Sequence, residues 1–200
     1  MAQEDFDTKF RAAWLVLSRT CASSIAPEAT YQAWFAHYLI SQFGIDRVAR
    51  EPIFKYTGFE STYRGRFTGG EIKLDAVVTR TPGIVLPHYI YRGTEGSGVE
   101  TLQELAIISE LKVSSTQGGG LDHTEVSRDF WKLSLLLHEA ERRGYSVPLA
   151  YVCVLDNHPR RRYNVNHPTG SRLVKDPHDP RVNLLHYSAH DADQVEGLHK

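Results

Sequence analysis

The segment from Leu102 to Ser114 is apolar almost without a break through Leu105-Ala106-Ile107-Ile108, and it constrains the fold more than any other stretch. A strand with one face in water alternates apolar and polar residues, whereas a continuous apolar run marks a strand covered on both faces. This segment is therefore expected to be a central strand, with cover supplied by elements on either side.

The covering elements are legible as helical stripes. Phe6, Phe10, Ala13, Trp14 and Leu17 recur at helical spacing over residues 5–19. Pro27 opens a second helix in its first turn and Gly44 closes it, with Trp34, Phe35, Tyr38 and Leu39 on its apolar side. Asp122 and Glu125 form the pattern of a capping box ahead of Val126, Phe130, Leu133, Leu137 and Ala140, and Arg142-Arg143-Gly144 stop that helix. Extended segments are predicted over Arg47–Tyr56, Glu71–Arg80 and Ser146–Leu155, with turn-rich chain between Thr81 and Gly98. The predicted order is α-α-β-β-β-α-β. This is an α/β fold with a central mixed sheet flanked by helices, in a single domain over 1–200 whose core spans about 27–156. Residues 157–200, rich in Pro, His and Arg, read as an irregular extension with one short apolar piece, Val182–Tyr187.

Composition narrows the class. An apolar fraction of 41% and a charged fraction of 24% over 200 residues suffice for one packed domain. No stretch approaches the roughly 20 apolar residues that cross a bilayer, and the acidic start Met-Ala-Gln-Glu-Asp lacks a basic signal region. Cys21 and Cys153, far apart and without CxxC spacing, read as buried thiols. A cytoplasmic protein is the expectation. A net charge of −1 gives no global case for a polyanionic partner, so any such case rests on local distribution. The tail histidines, His158, His167, His178, His186, His190 and His199, show no compact ligand spacing and read as solvated loop residues.

Against this background two charges intrude on the central strand. In Ile107-Ile108-Ser109-Glu110-Leu111-Lys112-Val113, Glu110 and Lys112 share a face, their Cα atoms roughly 6.5–7 Å apart. Burial there costs several kcal/mol per ion unless something offsets it, and a bound metal ion with a nearby phosphate would do so. Asp75 likewise interrupts Leu74-Asp75-Ala76-Val77-Val78 in the preceding strand. If the two strands are neighbours, Asp75, Glu110 and the backbone carbonyl of Leu111 supply the hard oxygen ligands that Mg²⁺ accepts. Two plainer readings stand beside this: a same-strand Glu110–Lys112 salt bridge, and an Asp75 that caps a turn or pairs with Lys73. The acid-x-Lys pattern occurs also at Asp7/Lys9 and Glu71/Lys73, but only the third example lies deep in an apolar strand.

These pieces resemble the PD-(D/E)xK nuclease superfamily and its restriction-endonuclease-like fold over roughly residues 27–156. The matching parts are Glu28 on a helix before the sheet, Leu74-Asp75, Glu110-Leu111-Lys112, and a following helix with Asp129-Phe130-Trp131-Lys132-Leu133. Leu74 stands where the named pattern has proline. The resemblance implies a Mg²⁺-dependent endonuclease, with Mn²⁺ able to substitute. It would act on the phosphodiester bonds of DNA, with RNA left open, in restriction, defence, repair or a mobile element. Asp75 and Glu110 would hold the metal, Lys112 would serve hydrolysis, and Glu28 would assist. The resemblance also implies a homodimer or a partner subunit. A catalytically silent nucleic-acid-binding or structural subunit of the same fold is the alternative.

Further candidates follow from position. Gln32 shares a helix face with Glu28 and is a candidate contact for a metal-bound water or for substrate. Lys132 either reaches a substrate phosphate or pairs with Asp129 or Glu125 on a solvated face. Gln117 lies in the polar loop after Lys112. Arg64 and Arg66, beside Tyr63 and Phe67, and the run Arg160–Arg162 are candidate phosphate or base contacts.

Overall fold

The computed structural model describes residues 3–55, 58–67, 70–86, 98–163, 165 and 178–191. Two helices lead, α1 (Gln3–Cys21) and α2 (Glu28–Phe43). The strands β1 (Val48–Arg50), β2 (Ile53–Lys55), β3 (Glu71–Lys73), β4 (Ala76–Thr79) and β5 (Leu105–Val113) follow. Helix α3 (His123–Arg142), β6 (Leu149–Asp156) and β7 (Val182–Ser188) complete the described chain. The main sheet has the order β1-β4-β5-β6-β7, antiparallel from β1 to β5 and parallel from β5 to β7. β5 is central, as its apolar run predicts.

Each face of the sheet is covered by helix. On one side, Phe10, Trp14 and Leu17 of α1 and Phe35 and Leu39 of α2 pack on Val78, Ile107, Leu111 and Tyr151. Phe10 is stacked on Tyr151 with ring centroids 4.3 Å apart and meets Phe35 edge-on. On the other side, Leu133, Leu136 and Leu137 of α3 pack with Val77, Ile108, Val152 and Val154. Burying such side chains contributes about 1.5–3 kcal/mol each, which makes these two layers the main source of stability. Cys21 and Cys153 are buried free thiols within the first layer.

Four departures from the sequence expectations shape the molecule. The extended segment 47–56 divides into β1 and β2 (Tyr56 lies outside the described residues), and the strand 71–80 divides into β3 and β4. β2 pairs with β3 in a separate two-stranded sheet. Both breaks fall at one level: Glu51 has φ 54°, Pro52 has no N–H to give a ladder, and Leu74 N donates to Pro52 O. One bent hairpin thus serves two sheets. Second, the predicted strand at Leu102 begins at Leu105, because Val99–Glu104 form a 3₁₀ turn; residues 87–97 of the turn-rich segment lie outside the described residues. Third, the capping box is half formed. Asp122 accepts from Thr124 N, but the Glu125 carboxylate accepts from Gln117 Nε2.

Fourth, the C-terminal extension is not irregular throughout. Val182–Ser188 is the fifth strand of the main sheet, running parallel to β6 in register from Ala150↔Val182 to Asp156↔Ser188. A parallel partner arrives by a long connection, so its pairing leaves no local mark beyond a few apolar residues. The tail histidines are likewise not uniformly solvated. His158 is buried, with Nδ1 accepting from Arg160 N and Arg161 N, and His178, His186 and His190 are half-buried. His167 and His199 lie outside the described residues. Among the described residues no helix is long and apolar enough to cross a membrane.

Candidate active site

The hairpin bend creates the site. β4 pairs with β5 only as far as Ala76↔Ser109, and one step further the same register sets Asp75 opposite Glu110. There the chain turns away, and the N–H of Leu111 loses its strand partner. Asp75 Oδ2 takes that N–H at 2.8 Å, while Asp75 Oδ1 accepts from Gln32 Nε2 at 2.8 Å. Gln32 is held in turn by Arg50, whose Nη2 donates to its Oε1 at 3.1 Å. Because the N–H and C=O of one strand residue point to the same edge, the Leu111 carbonyl also faces the gap that β4 leaves.

The charges on β5 do not pair with each other. Lys112 Nζ lies 3.2 Å from Asp129 Oδ2, and Glu110 Oε1 lies 2.8 Å from Lys132 Nζ. Lys132 also contacts Asp129 Oδ1 at 3.2 Å and approaches the Lys73 carbonyl at 3.4 Å. Asp129 thus stands between two lysines, one from β5 and one from its own helix. Glu110 and Asp129 are only 2% and 4% exposed. Apart from these ammoniums, no hydrogen-bond donor among the described residues reaches Glu110 Oε1 or Asp129 Oδ2. Each buried oxygen therefore depends on one lysine, and removing that counter-charge in a low-dielectric interior would be costly.

Proton affinities follow from this burial. Desolvation pushes the Glu110 carboxyl well above the usual carboxylate range, with Lys132 opposing. Desolvation also raises Asp75, against the Leu111 N–H and Lys112, and raises Glu28, against Lys112. For Lys112 and Lys132 burial acts to lower the ammonium's pKa, but the surrounding carboxylates outweigh it and both are raised.

A cleft of about 480 Å³ opens beside these groups, lined by Glu28, Lys112, Gln117, Asp129, Lys132 and Arg128 among others. Glu28 opens α2, and Gln117 reaches the cleft while donating to Glu125 at 3.1 Å. Both ends of the Gln32 amide are engaged, Nε2 donating to Asp75 Oδ1 and Oε1 accepting from Arg50 Nη2. Lys132 is not on a solvated face, its side chain being 20% exposed against Glu110. Arg64 is exposed on the 3₁₀ turn Thr62–Arg66, and the Arg66 guanidinium lies over the Trp131 ring at 4.8 Å. Neither lines the cleft. In the arginine run, Arg161 donates to Gly119 O at 2.7 Å and Arg162 pairs with Asp191.

Asp129 is the site residue that the sequence expectations leave out, although its signal is present. It falls at i+3 from Val126 and four before Leu133, a carboxylate inside the apolar stripe of α3.

Among the described residues, no three His, Cys, Asp or Glu side chains gather as a metal-binding group. A metal here would rest on two carboxylates, a backbone carbonyl and water. Compared with models of protein families, with curated proteins and with solved structures, the chain finds no match.

Proposed function

We propose that this protein is a Mg²⁺-dependent nuclease of the PD-(D/E)xK kind that hydrolyses phosphodiester bonds of DNA. The observation that carries the proposal is the hydrogen bond from Leu111 N to Asp75 Oδ2. It brings a carboxylate from the bend between β3 and β4 to the backbone of the residue between Glu110 and Lys112. The order of elements supports it too: a helix, an antiparallel run of three strands, a helix, and a strand parallel to the third.

The residues fit a divalent ion. Glu110 is a buried acid whose counter-charge is a single lysine, and Asp75 is oriented by two hydrogen bonds beside the Leu111 carbonyl. Asp75, Glu110 and the Leu111 carbonyl would hold the ion. Bound there, it would polarise a phosphoryl oxygen and lower the pKa of a coordinated water. Lys112, kept protonated by Asp129, offers a fixed positive charge for the negative charge that develops on phosphorus, and can orient the attacking water. Glu28, on the cleft lining with raised proton affinity, can accept a proton from water. Gln117 and Arg128 on the rim are within the surface that a phosphate backbone would meet.

The test is cleavage of supercoiled plasmid in Mg²⁺, Mn²⁺ or EDTA by wild type and by Lys112→Ala purified identically. Metal-dependent nicking that disappears in the mutant establishes the activity. Equal cutting by both assigns it to a contaminant, and binding without cutting by either favours a silent DNA-binding subunit.

A further inference from the structure

We propose that the Lys132 ammonium occupies one ligand of this site, Glu110, and that a divalent ion enters by displacing it from that carboxylate. The inference rests on the metal-dependent reading given above. Three oxygens surround Lys132 Nζ: Glu110 Oε1 at 2.8 Å, Asp129 Oδ1 at 3.2 Å and the Lys73 carbonyl at 3.4 Å. A buried carboxylate, a second carboxylate and a main-chain carbonyl around one positive centre are the donor types that hard cations take. The carboxylate proposed as a metal ligand is therefore already bound to a cation of the protein's own.

The placement has a physical reason. Glu110 is 2% exposed and would be costly to leave charged and alone at the centre of the sheet. Lys132, projecting from α3 onto the same face of β5, supplies a counter-charge without an exogenous ion. No other donor among the described residues reaches Glu110 Oε1, so this one ammonium is its whole counter-charge. An ion that brings two positive charges to the same carboxylate can take its place. Lys132 lies on a flexible stem at the cleft wall, beside Lys73 and Arg128. Once released from Glu110, its ammonium faces the cleft, where it can meet a substrate phosphate. The same side chain then guards the empty site and contacts substrate in the loaded one, which couples metal binding to phosphate binding.

Two measurements on the full chain test this. The first is acylation of lysine amines in the wild type with and without Mg²⁺, read residue by residue by mass spectrometry. Displacement requires labelling of Lys132 to rise severalfold on Mg²⁺ addition, with Lys112, held by Asp129, as the internal comparison. The second is Mn²⁺ affinity by calorimetry for wild type and Lys132→Gln, which removes the competing charge. The variant is expected to bind about tenfold more tightly or better, since an opposing unit charge a few ångströms away is gone. If Mn²⁺ and Mg²⁺ bind the wild type but Lys132 labelling is unchanged or falls, the displacement idea is wrong and the metal site stands. If no ion binds the wild type, both are wrong. Should Lys132→Gln not fold, the labelling result decides alone.

Discussion

Asp75 Oδ2 accepts a hydrogen bond from Leu111 N at 2.8 Å, so a side chain takes the place that a strand partner vacates. The bend at Leu74-Asp75 does two things at once. It frees one edge of β5 beside Glu110, and it fills part of that edge with a second carboxylate. Asp75→Asn keeps an acceptor for the Leu111 N–H while removing the charge. Divalent-ion affinity should fall about 10–100-fold, with cleavage falling at least as much, and the thermal midpoint should change little. Unaltered ion affinity in calorimetry would remove Asp75 from the ligand set.

Gln32 reaches the site through Asp75, to which its Nε2 donates at 2.8 Å. Gln32→Ala should weaken ion binding about 10-fold, the usual cost of losing an outer partner of a ligand. DNA binding measured in Ca²⁺ or EDTA should be unaffected. A loss of DNA affinity without a loss of ion affinity would return Gln32 to the role of substrate contact.

Asp129 holds Lys112 and Lys132 apart, each at 3.2 Å. Asp129→Asn should lower the proton affinity of Lys112, because Asp129 is the largest of the charges raising it. The readout is the pH dependence of Lys112 acylation, which should shift to lower pH in the variant. Cleavage should fall about 100-fold. An unshifted labelling profile would show that Lys112 is held by something else.

Acid stability depends on Glu139, far from the cleft. Burial by itself would raise its pKa. Hydrogen bonds from Arg142, Arg143 and the Glu60 N–H outweigh this and hold it at about 2. A group depressed in the folded state stabilises above its unfolded pKa, near 4.5, and that stabilisation is lost as pH falls from there toward 2. Glu139→Gln should cost about 1–2 kcal/mol at pH 7, a modest figure because the arginines are part-exposed. The difference between mutant and wild type should shrink below pH 4; a constant difference down to pH 2 would contradict the assignment.

The edge strand β7 is part of the folded sheet. Leu185 is 9% exposed and packs in the α1–α2 layer. Leu185→Ala should therefore cost about 2–3 kcal/mol in denaturant unfolding. A change within about 0.5 kcal/mol, the range of surface substitutions, would place β7 outside the cooperative unit.

The sequence by itself determined the elements whose signal is local. The apolar run of β5 announces a strand covered on both faces, the 3.6-residue stripes of α1 and α3 announce the cover, and Pro27 and Gly44 bound α2. It also singled out Glu110, Lys112 and Asp75, because a charge in an apolar strand is visible without coordinates. Tertiary structure alone decided how those charges are partnered. The same-strand pairing of Glu110 with Lys112 does not occur; their partners are Lys132 and Asp129, from a helix on the sheet's far connection. Gln32 meets Asp75 across 43 positions, and β7 meets β6 by a parallel crossover. Periodicity records which face of an element is buried, since that depends on neighbours in sequence. Which elements face each other is set by non-local packing, and the pairing of Asp129 with Lys112 and of β7 with β6 becomes legible only there.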